Sequence, residues 1–347
     1  MSTSPREVRS YDRRDGTVQC HDCPRECAIP DGETGACDVR VNDGGTLLLD
    51  SYGKAVATAV DPIEKKPLFH VAPGARLLSL AAKGCTFACE FCQNYEIALE
   101  HEGVPERDRP PETLATTVED RGLDGIAYTY TEPTAFLEYA LDTMDAAPDD
   151  ALQVFVSNGY MTPETVDALA PRLDAINIDI KGDETFYREH IGAPDPEPIY
   201  DAVERFADRG VHVEVTNLIV PGYNDDEQTI RERMAWLHDA VGPETPVHFS
   251  RFRPAYQFRG VQPTPVETLE RAMAIAREEG LAFVYCGNVS GHEAESTYCP
   301  ECGRVLVRRE GFTVESVTLG DGACPCGYEP PLVGTAREAS PRRPFTA

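Results

Sequence analysis

The chain has 347 residues and carries 59 acidic against 32 basic side chains, a net charge of −27. Its length allows one large domain with a buried core plus small appendages. No apolar run is long enough for a membrane-spanning helix and residues 1–16 do not read as a secretory signal, so a cytoplasmic protein with no membrane partner is expected. Nucleic-acid binding, which needs clustered positive charge, is disfavoured.

Four cysteines, Cys20, Cys23, Cys27 and Cys37, open the chain, with Gly32 and Gly35 to turn it. C-x2-C and C-x3-C spacings read as metal sites in a reduced compartment rather than as disulfides. A module this short (residues 1–44) cannot build a core, so a metal would supply its folding energy. Four thiolates suit zinc or a second iron–sulfur cluster. His21 reads as an exposed turn residue.

A strand-like run, Arg76 to Ala81, leads into the loop Lys83 to Asn94, where Cys85, Cys89 and Cys92 stand at C-x3-C-x2-C with Phe91 before the last. Three thiolates on one loop can hold three irons of a cubic cluster that ordinarily takes four. The fourth iron is then open to a ligand, as in catalytic metal sites generally. A three-cysteine zinc site is the alternative.

From residue 45 to 290 short apolar strands alternate with amphipathic helices, which predicts a parallel sheet covered by helices. The strands are Ile126–Tyr130, Gln153–Ser157, Ala175–Lys181, Val211–Val220, Val247–Phe252 and Ala282–Tyr285. The helices are Glu112–Glu119, Pro133–Thr143, Pro163–Leu169, Ile199–Arg209, Glu227–Val241 and Val266–Glu279. The expected architecture is α/β, a partial (β/α)6 TIM-like barrel; no dinucleotide fingerprint or phosphate loop is present. Such barrels carry their chemistry at the C-terminal strand ends. Glu132, Ser157, Asn158, Asp179, Lys181 and Asn217 occupy those ends and are the candidate binding residues. Asp179 and Lys181 share a strand face and could instead form a structural pair. Asn224 and Asp225 are expected to cap the next helix. Arg251 and Arg253 could grip a carboxylate or stitch the barrel mouth. Cys286 reads as a small buried residue.

Residues 291–334 contain two cysteine knuckles, Cys299 with Cys302 and Cys324 with Cys326, joined by a hairpin from Val305 to Leu319. They read as a zinc ribbon with four thiolate ligands, although C-x-C replaces C-x2-C in the second knuckle. The tail, residues 335–347, is expected to be disordered.

The acids are spread through every segment, and only five lysines occur: Lys54, Lys65, Lys66, Lys83 and Lys181. Such a composition is similar to that of halophilic proteins, with docking of a basic partner as the alternative.

The cysteine loop resembles the cluster loop of the radical S-adenosylmethionine (radical SAM) superfamily. With Tyr128-Thr129-Tyr130-Thr131-Glu132-Pro133, Val156-Ser157-Asn158-Gly159-Tyr160, Ile219-Val220-Pro221-Gly222-Tyr223-Asn224-Asp225 and Ser250-Arg251-Phe252-Arg253-Pro254, the chain from about Cys20 to Gly334 resembles the radical SAM members of the AmmeMemoRadiSam system, which are pyruvate formate-lyase-activating-enzyme-like. The resemblance implies a 4Fe-4S cluster on Cys85, Cys89 and Cys92 whose open iron binds S-adenosylmethionine, and reductive cleavage to a 5′-deoxyadenosyl radical that abstracts hydrogen. It implies Glu132 near the methionine ammonium, where relatives carry Gly-Gly-Glu-Pro and this chain has Tyr130 and Thr131 for the glycines. It places Ser157, Asn158, Asp179 and Lys181 around the ribose and carboxylate, with a substrate carboxylate as the alternative partner of Lys181, and Asn217 is a further expected ligand contact. The implied partners are a ferredoxin- or flavodoxin-type electron donor and an unidentified substrate that could be a protein. A glycyl-radical-enzyme activase is the alternative enzyme; a non-catalytic, metal-stabilised scaffold is the alternative of another class.

Overall fold

The computed structural model describes residues 4–338. Its centre is an eight-stranded sheet: β1 (Ala57–Pro62), β2 (Arg76–Ala81), β3 (Gly125–Tyr128), β4 (Leu152–Ser157), β5 (Ala175–Asp179), β6 (His212–Ile219), β7 (Val247–Arg251) and β8 (Val284–Gly287). The strands stand side by side in chain order. β2 to β8 are parallel throughout, and β1 runs antiparallel along β2. The sheet thus has one parallel strand more than a six-stranded barrel, plus an antiparallel edge. Strands covered on both faces read as apolar runs, and Leu77, Leu78 and Leu80 of β2 are all buried. Gly125 has a steric reason: a β-carbon there would stand 2.1 Å from the carbonyl oxygen of Leu152 on the next strand.

Six helices cover the outside: α1 (Pro111–Arg121), α2 (Leu137–Ala146), α3 (Pro163–Leu169), α4 (Glu197–Asp208), α5 (Glu227–Ala240) and α6 (Val266–Glu278). α4 buries Ile199, Ala202, Val203 and Phe206, the single stripe that a 3.6-residue period produces. Proline opens α1 and α3, where its missing N–H costs nothing. The cap of α5 is Asp226, which accepts from Thr229 N–H. The expected caps act elsewhere. Asp225 accepts from Gly222 N–H, and Asn224 ties Val220 to the carbonyls of Leu218 and Lys181.

The sheet does not close between β8 and β1. Side chains at its N-terminal end plug the barrel: the Glu214 carboxylate accepts from the backbone of Phe69 (3.0 Å) and His70 (2.7 Å). His248 (2.6 Å) and His212 (3.2 Å) also stand against it.

At the front of the chain, Tyr11–Arg14, Thr17–Cys20 and Ala28–Pro30 form one small sheet. The hairpin Arg40–Asp43/Thr46–Leu49 straddles residue 44. Val18, Ile29, Val39 and Leu47 join the same apolar core as the barrel. Arg40, fully buried, pairs with Asp22 (2.6 Å) and with Glu138 of α2 (3.1 Å). At the other end Thr297–Tyr298, Val305–Glu310 and Thr313–Val317 make an antiparallel sheet. Of the tail, residues 335–338 lie along the barrel, because Arg337 donates its N–H to Pro73 and pairs its guanidinium with Asp124. Residues 339–347 lie outside the described residues. Among the described residues no helix is long and apolar enough to cross a membrane.

Candidate functional site

The three loop cysteines follow β2 and stand at the C-terminal end of the sheet. Neighbouring groups hold the loop from outside. Asn158 Nδ2 donates to Thr86 Oγ1 (2.9 Å), and Ala88 and Glu90 N–H donate to the carbonyls of Ile191 (2.9 Å) and His190 (3.0 Å). Phe91 is buried against Phe186 and Phe258. Burial raises all three thiols, Cys89 to about 12. Ligation must therefore displace their protons, as metal binding at thiols generally does.

Beside the loop lies a cavity of about 570 Å³, within the range of sites for small molecules and cofactors. Cys85, Cys89, Cys92, Glu132, Ser157, Asn158, Asp179 and Lys181 all border it. Five of the six predicted binding residues therefore converge with the cysteines. The sixth, Asn217, does not. β6 alternates its side chains, so Thr216 and Leu218 face the cavity, while Asn217 spans to Ile180 O (2.9 Å) and Arg233 (3.2 Å). Arg251 donates to Thr264 O (2.7 Å) and Arg253 is exposed. Cys286 is buried and borders the cavity.

Glu132 has four donors: Thr134 N–H (3.0 Å), Thr134 Oγ1 (2.8 Å), Ser157 Oγ (2.8 Å) and Asn158 N–H (2.8 Å). Burial raises its carboxyl, and these bonds oppose the shift. It therefore both starts the short helix Pro133–Phe136 and fixes the end of β4. Lys181 Nζ stands 2.7 Å from Asp179. Burial alone would lower its pKa, but the Asp179 carboxylate outweighs burial and holds it protonated.

One group of residues beside the cavity escaped the sequence reading. Tyr130 adopts φ +69°, the left-handed region in which glycine is the default residue. Its hydroxyl donates to Asp61, its carbonyl accepts from Asn94 (2.7 Å), and the Lys66 ammonium lies 4.5 Å from its ring centroid. Asp61 also accepts from Lys65, Lys66 and Ser79. Lys66 is fully buried, which pulls it down to about 8. The replaced glycine was the available signal; Asp61 and Lys66, more than sixty residues upstream, gave none.

The cavity continues to the gap between β1 and β8, where Lys65, Asn288 and the half-exposed Phe312 border it. Phe312 belongs to the tip of the C-terminal hairpin.

Among the described residues only Cys299, Cys302, Cys324 and Cys326 bring three or more ligand atoms within 4.8 Å of one another. Their sulfurs lie 3.6 Å apart in two pairs. A tetrahedral ion with metal–sulfur bonds of about 2.3 Å sets sulfurs about 3.8 Å apart, so this quartet can hold a metal ion. The loop trio is spaced more widely. That suits a cluster, in which each sulfur sits on its own iron, and the adjoining cavity leaves room for the ligand of an open iron.

The model describing the Radical SAM superfamily matches residues 80–237, from the end of β2 into α5. An uncharacterized protein of Methanocaldococcus jannaschii, MJ0808, is 44% identical over 317 residues, 90% of this chain and 94% of that protein. A radical SAM methyltransferase from Sphaerobacter thermophilus shares the fold at 16% identity, with a TM-score of 0.50 over 67% of this chain and 71% of the other. The chain belongs to the radical SAM superfamily. Membership makes it an S-adenosylmethionine-dependent, metal-binding enzyme.

Proposed function

We propose that this protein reductively cleaves S-adenosylmethionine at a 4Fe-4S cluster held by Cys85, Cys89 and Cys92 and uses the resulting radical to take hydrogen from a polypeptide substrate. The observation that carries this reading is the placement of the three cysteines at a strand end, on the wall of one cavity with Glu132, Asp179 and Lys181. When bound, the cluster supplies one electron that breaks a carbon–sulfur bond of S-adenosylmethionine, giving methionine and a 5′-deoxyadenosyl radical.

The chain's own groups bind and orient. Glu132 sets negative charge against the methionine ammonium, and Lys181 meets the carboxylate. Ser157 and Asn158 hold Glu132 and the cysteine loop in register. The opening toward Phe312 supports a polypeptide substrate, since the cavity is not sealed from a partner surface. Zinc is the proposed ion of the C-terminal quartet, on its tetrahedral spacing.

The test is anaerobic turnover with a chemical reductant. Unaltered protein should form 5′-deoxyadenosine, and Cys89→Ala should form none. Product from Cys89→Ala, or a trio that takes up only zinc, would end this reading.

A further inference from the structure

The N-terminal quartet does not have the geometry of its C-terminal counterpart. Cys20, Cys23, Cys27 and Cys37 border one pocket together with Asp22, Arg25, Arg40 and Thr86. Among the described residues they do not form a group with three sulfurs within 4.8 Å. One zinc with bonds of about 2.3 Å cannot span sulfurs more than roughly 4.6 Å apart. The pocket also keeps about 20 Å³ for a water-sized sphere, room for one such sphere. Sulfurs closed on one zinc leave no such space. A cluster, which seats each thiolate on a different iron, needs both the wider spacing and the hollow.

Its position matters as much as its size. Cys23 and Cys27 are half-buried and reach the surface, while Cys20 and Cys37 are buried. On the buried side the quartet abuts the loop that carries Cys85. A β-carbon on Gly84 would be 2.5 Å from the carbonyl oxygen of Cys37. Arg25, between Cys23 and Cys27, donates to Thr86 O (2.6 Å) and Gly192 O (2.5 Å). Thr86 borders the quartet's pocket, and its chain neighbours Cys85 and Phe87 border the large cavity.

We propose that Cys20, Cys23, Cys27 and Cys37 hold a second iron–sulfur cluster, through which the electron reaches the cluster at Cys85, Cys89 and Cys92. A ferredoxin- or flavodoxin-type donor loses one electron to the outer cluster. That cluster is reoxidised as it passes the electron inward, so one electron enters and one arrives. The relay role rests on the proposed function; the assignment of the metal does not.

The metal is tested on full-length Cys85→Ala/Cys89→Ala/Cys92→Ala, reconstituted without oxygen in the presence of iron, sulfide and zinc. The expected result is about four irons per chain, a reducible paramagnetic centre, and zinc only at the C-terminal quartet. Zinc at both quartets and no iron would overturn the assignment. If the variant does not fold, the unaltered chain and Cys23→Ala/Cys27→Ala decide: about four irons fewer in the double variant support the proposal, and equal iron in the two refutes it.

The role is tested with Cys23→Ala/Cys27→Ala. Reduction of the remaining cluster by a reduced ferredoxin should slow at least tenfold, while reduction by dithionite is kept. Equal slowing with both, or with neither, would refute the relay. A chain with iron at the quartet and zinc at the trio would uphold the second cluster and end the proposed function instead.

Discussion

The carbonyl of Cys37 is packed against Gly84, the residue immediately before the first loop cysteine: a β-carbon there would stand 2.5 Å from that oxygen and 2.7 Å from Val39 Cγ1. Gly84 also has φ +92°. Gly84→Ala therefore combines backbone strain of about 1–3 kcal/mol with overpacking of similar size. Gly103 is the control, with φ +75° and nothing within 4 Å. Gly84→Ala should lose at least half its iron after reconstitution, and Gly103→Ala should lose none. Equal iron in the two would show that this contact does not shape the loop.

Glu132 is the one acid among the predicted binding residues that is fully buried with four donors. Glu132→Gln keeps its volume but removes the charge and puts an amide N–H₂ toward one set of donors, at a cost of about 1–3 kcal/mol. The expected result is retained iron with S-adenosylmethionine binding weakened tenfold or more, by anaerobic calorimetry. Undiminished affinity would remove Glu132 from the ammonium site and leave it the helix-starting role alone.

Regular elements were the legible part of the fold. Arg76–Ala81 and Pro163–Leu169 match the sequence reading end to end, since proline and apolar runs mark them. The edge strand Ala57–Pro62 was missed because its exposed face breaks the apolar run. In β6 the run Glu214-Val215-Thr216-Asn217 mixes polar side chains on both faces, so no alternation told Asn217 from Thr216. The reason lies in partners distant in sequence: Glu214 answers His248 and the Phe69–His70 backbone, Asn217 answers Arg233. Cysteine spacing picked out three groups of thiols, of which the C-terminal one is spaced for a metal ion, but spacing alone could not separate one ion from a cluster.

All five lysines lie within 4 Å of an acid: Lys54 and Lys83 at Asp50, Lys65 and Lys66 at Asp61, Lys181 at Asp179. The net charge of −27 is thus left to repel itself across the surface. We propose that the chain is adapted to high salt. Screening shortens to about 3 Å at 1 M salt, so the thermal midpoint should rise by several degrees between 0.1 M and 2 M potassium chloride. A flat or falling midpoint would favour the alternative of a basic docking partner.

Acid should destabilise the barrel floor. Burial pushes His70 down to about 3, whereas an unfolded chain protonates its histidines near pH 6.5. Between those values the unfolded chain holds the extra proton, so stability falls as pH drops below about 6.5, by up to about 1.4 kcal/mol per unit. Glu214 adds to this lower down. Burial would raise it, but hydrogen bonds from His212 and His248 hold it far below the carboxylate range. Its contribution is present above the unfolded value of about 4.3 and is lost as pH falls further. Urea midpoints from pH 7 to 5 should show this slope, flattened in His70→Gln. An unchanged slope in that variant would locate the proton elsewhere.

A buried guanidinium helps to fasten the C-terminal sheet to the barrel, beside the hydrogen bond between Tyr285 and Thr297 (3.0 Å). Arg309 is buried, donates to Phe69 O (2.7 Å) and Thr297 Oγ1 (2.8 Å), and lies 4.3 Å from the Phe69 ring centroid. Its Nε is 3.5 Å from Glu64, whose carboxyl burial raises against the opposing pull of Arg309. Removing one partner of a buried pair leaves the other charged and unpaired, at about 3–5 kcal/mol, whereas replacing both with neutral groups costs far less. Arg309→Ala should therefore lower the urea-unfolding free energy by that amount, and Arg309→Met with Glu64→Gln should recover most of it. Phe312 sits three residues on, at the cavity rim, so Arg309→Ala should also raise KM for the substrate more than it lowers kcat. Additive losses in the double variant would mean that Arg309 holds the sheet to the barrel through Phe69 rather than Glu64, and an unmoved KM would mean that the hairpin tip has no part in binding.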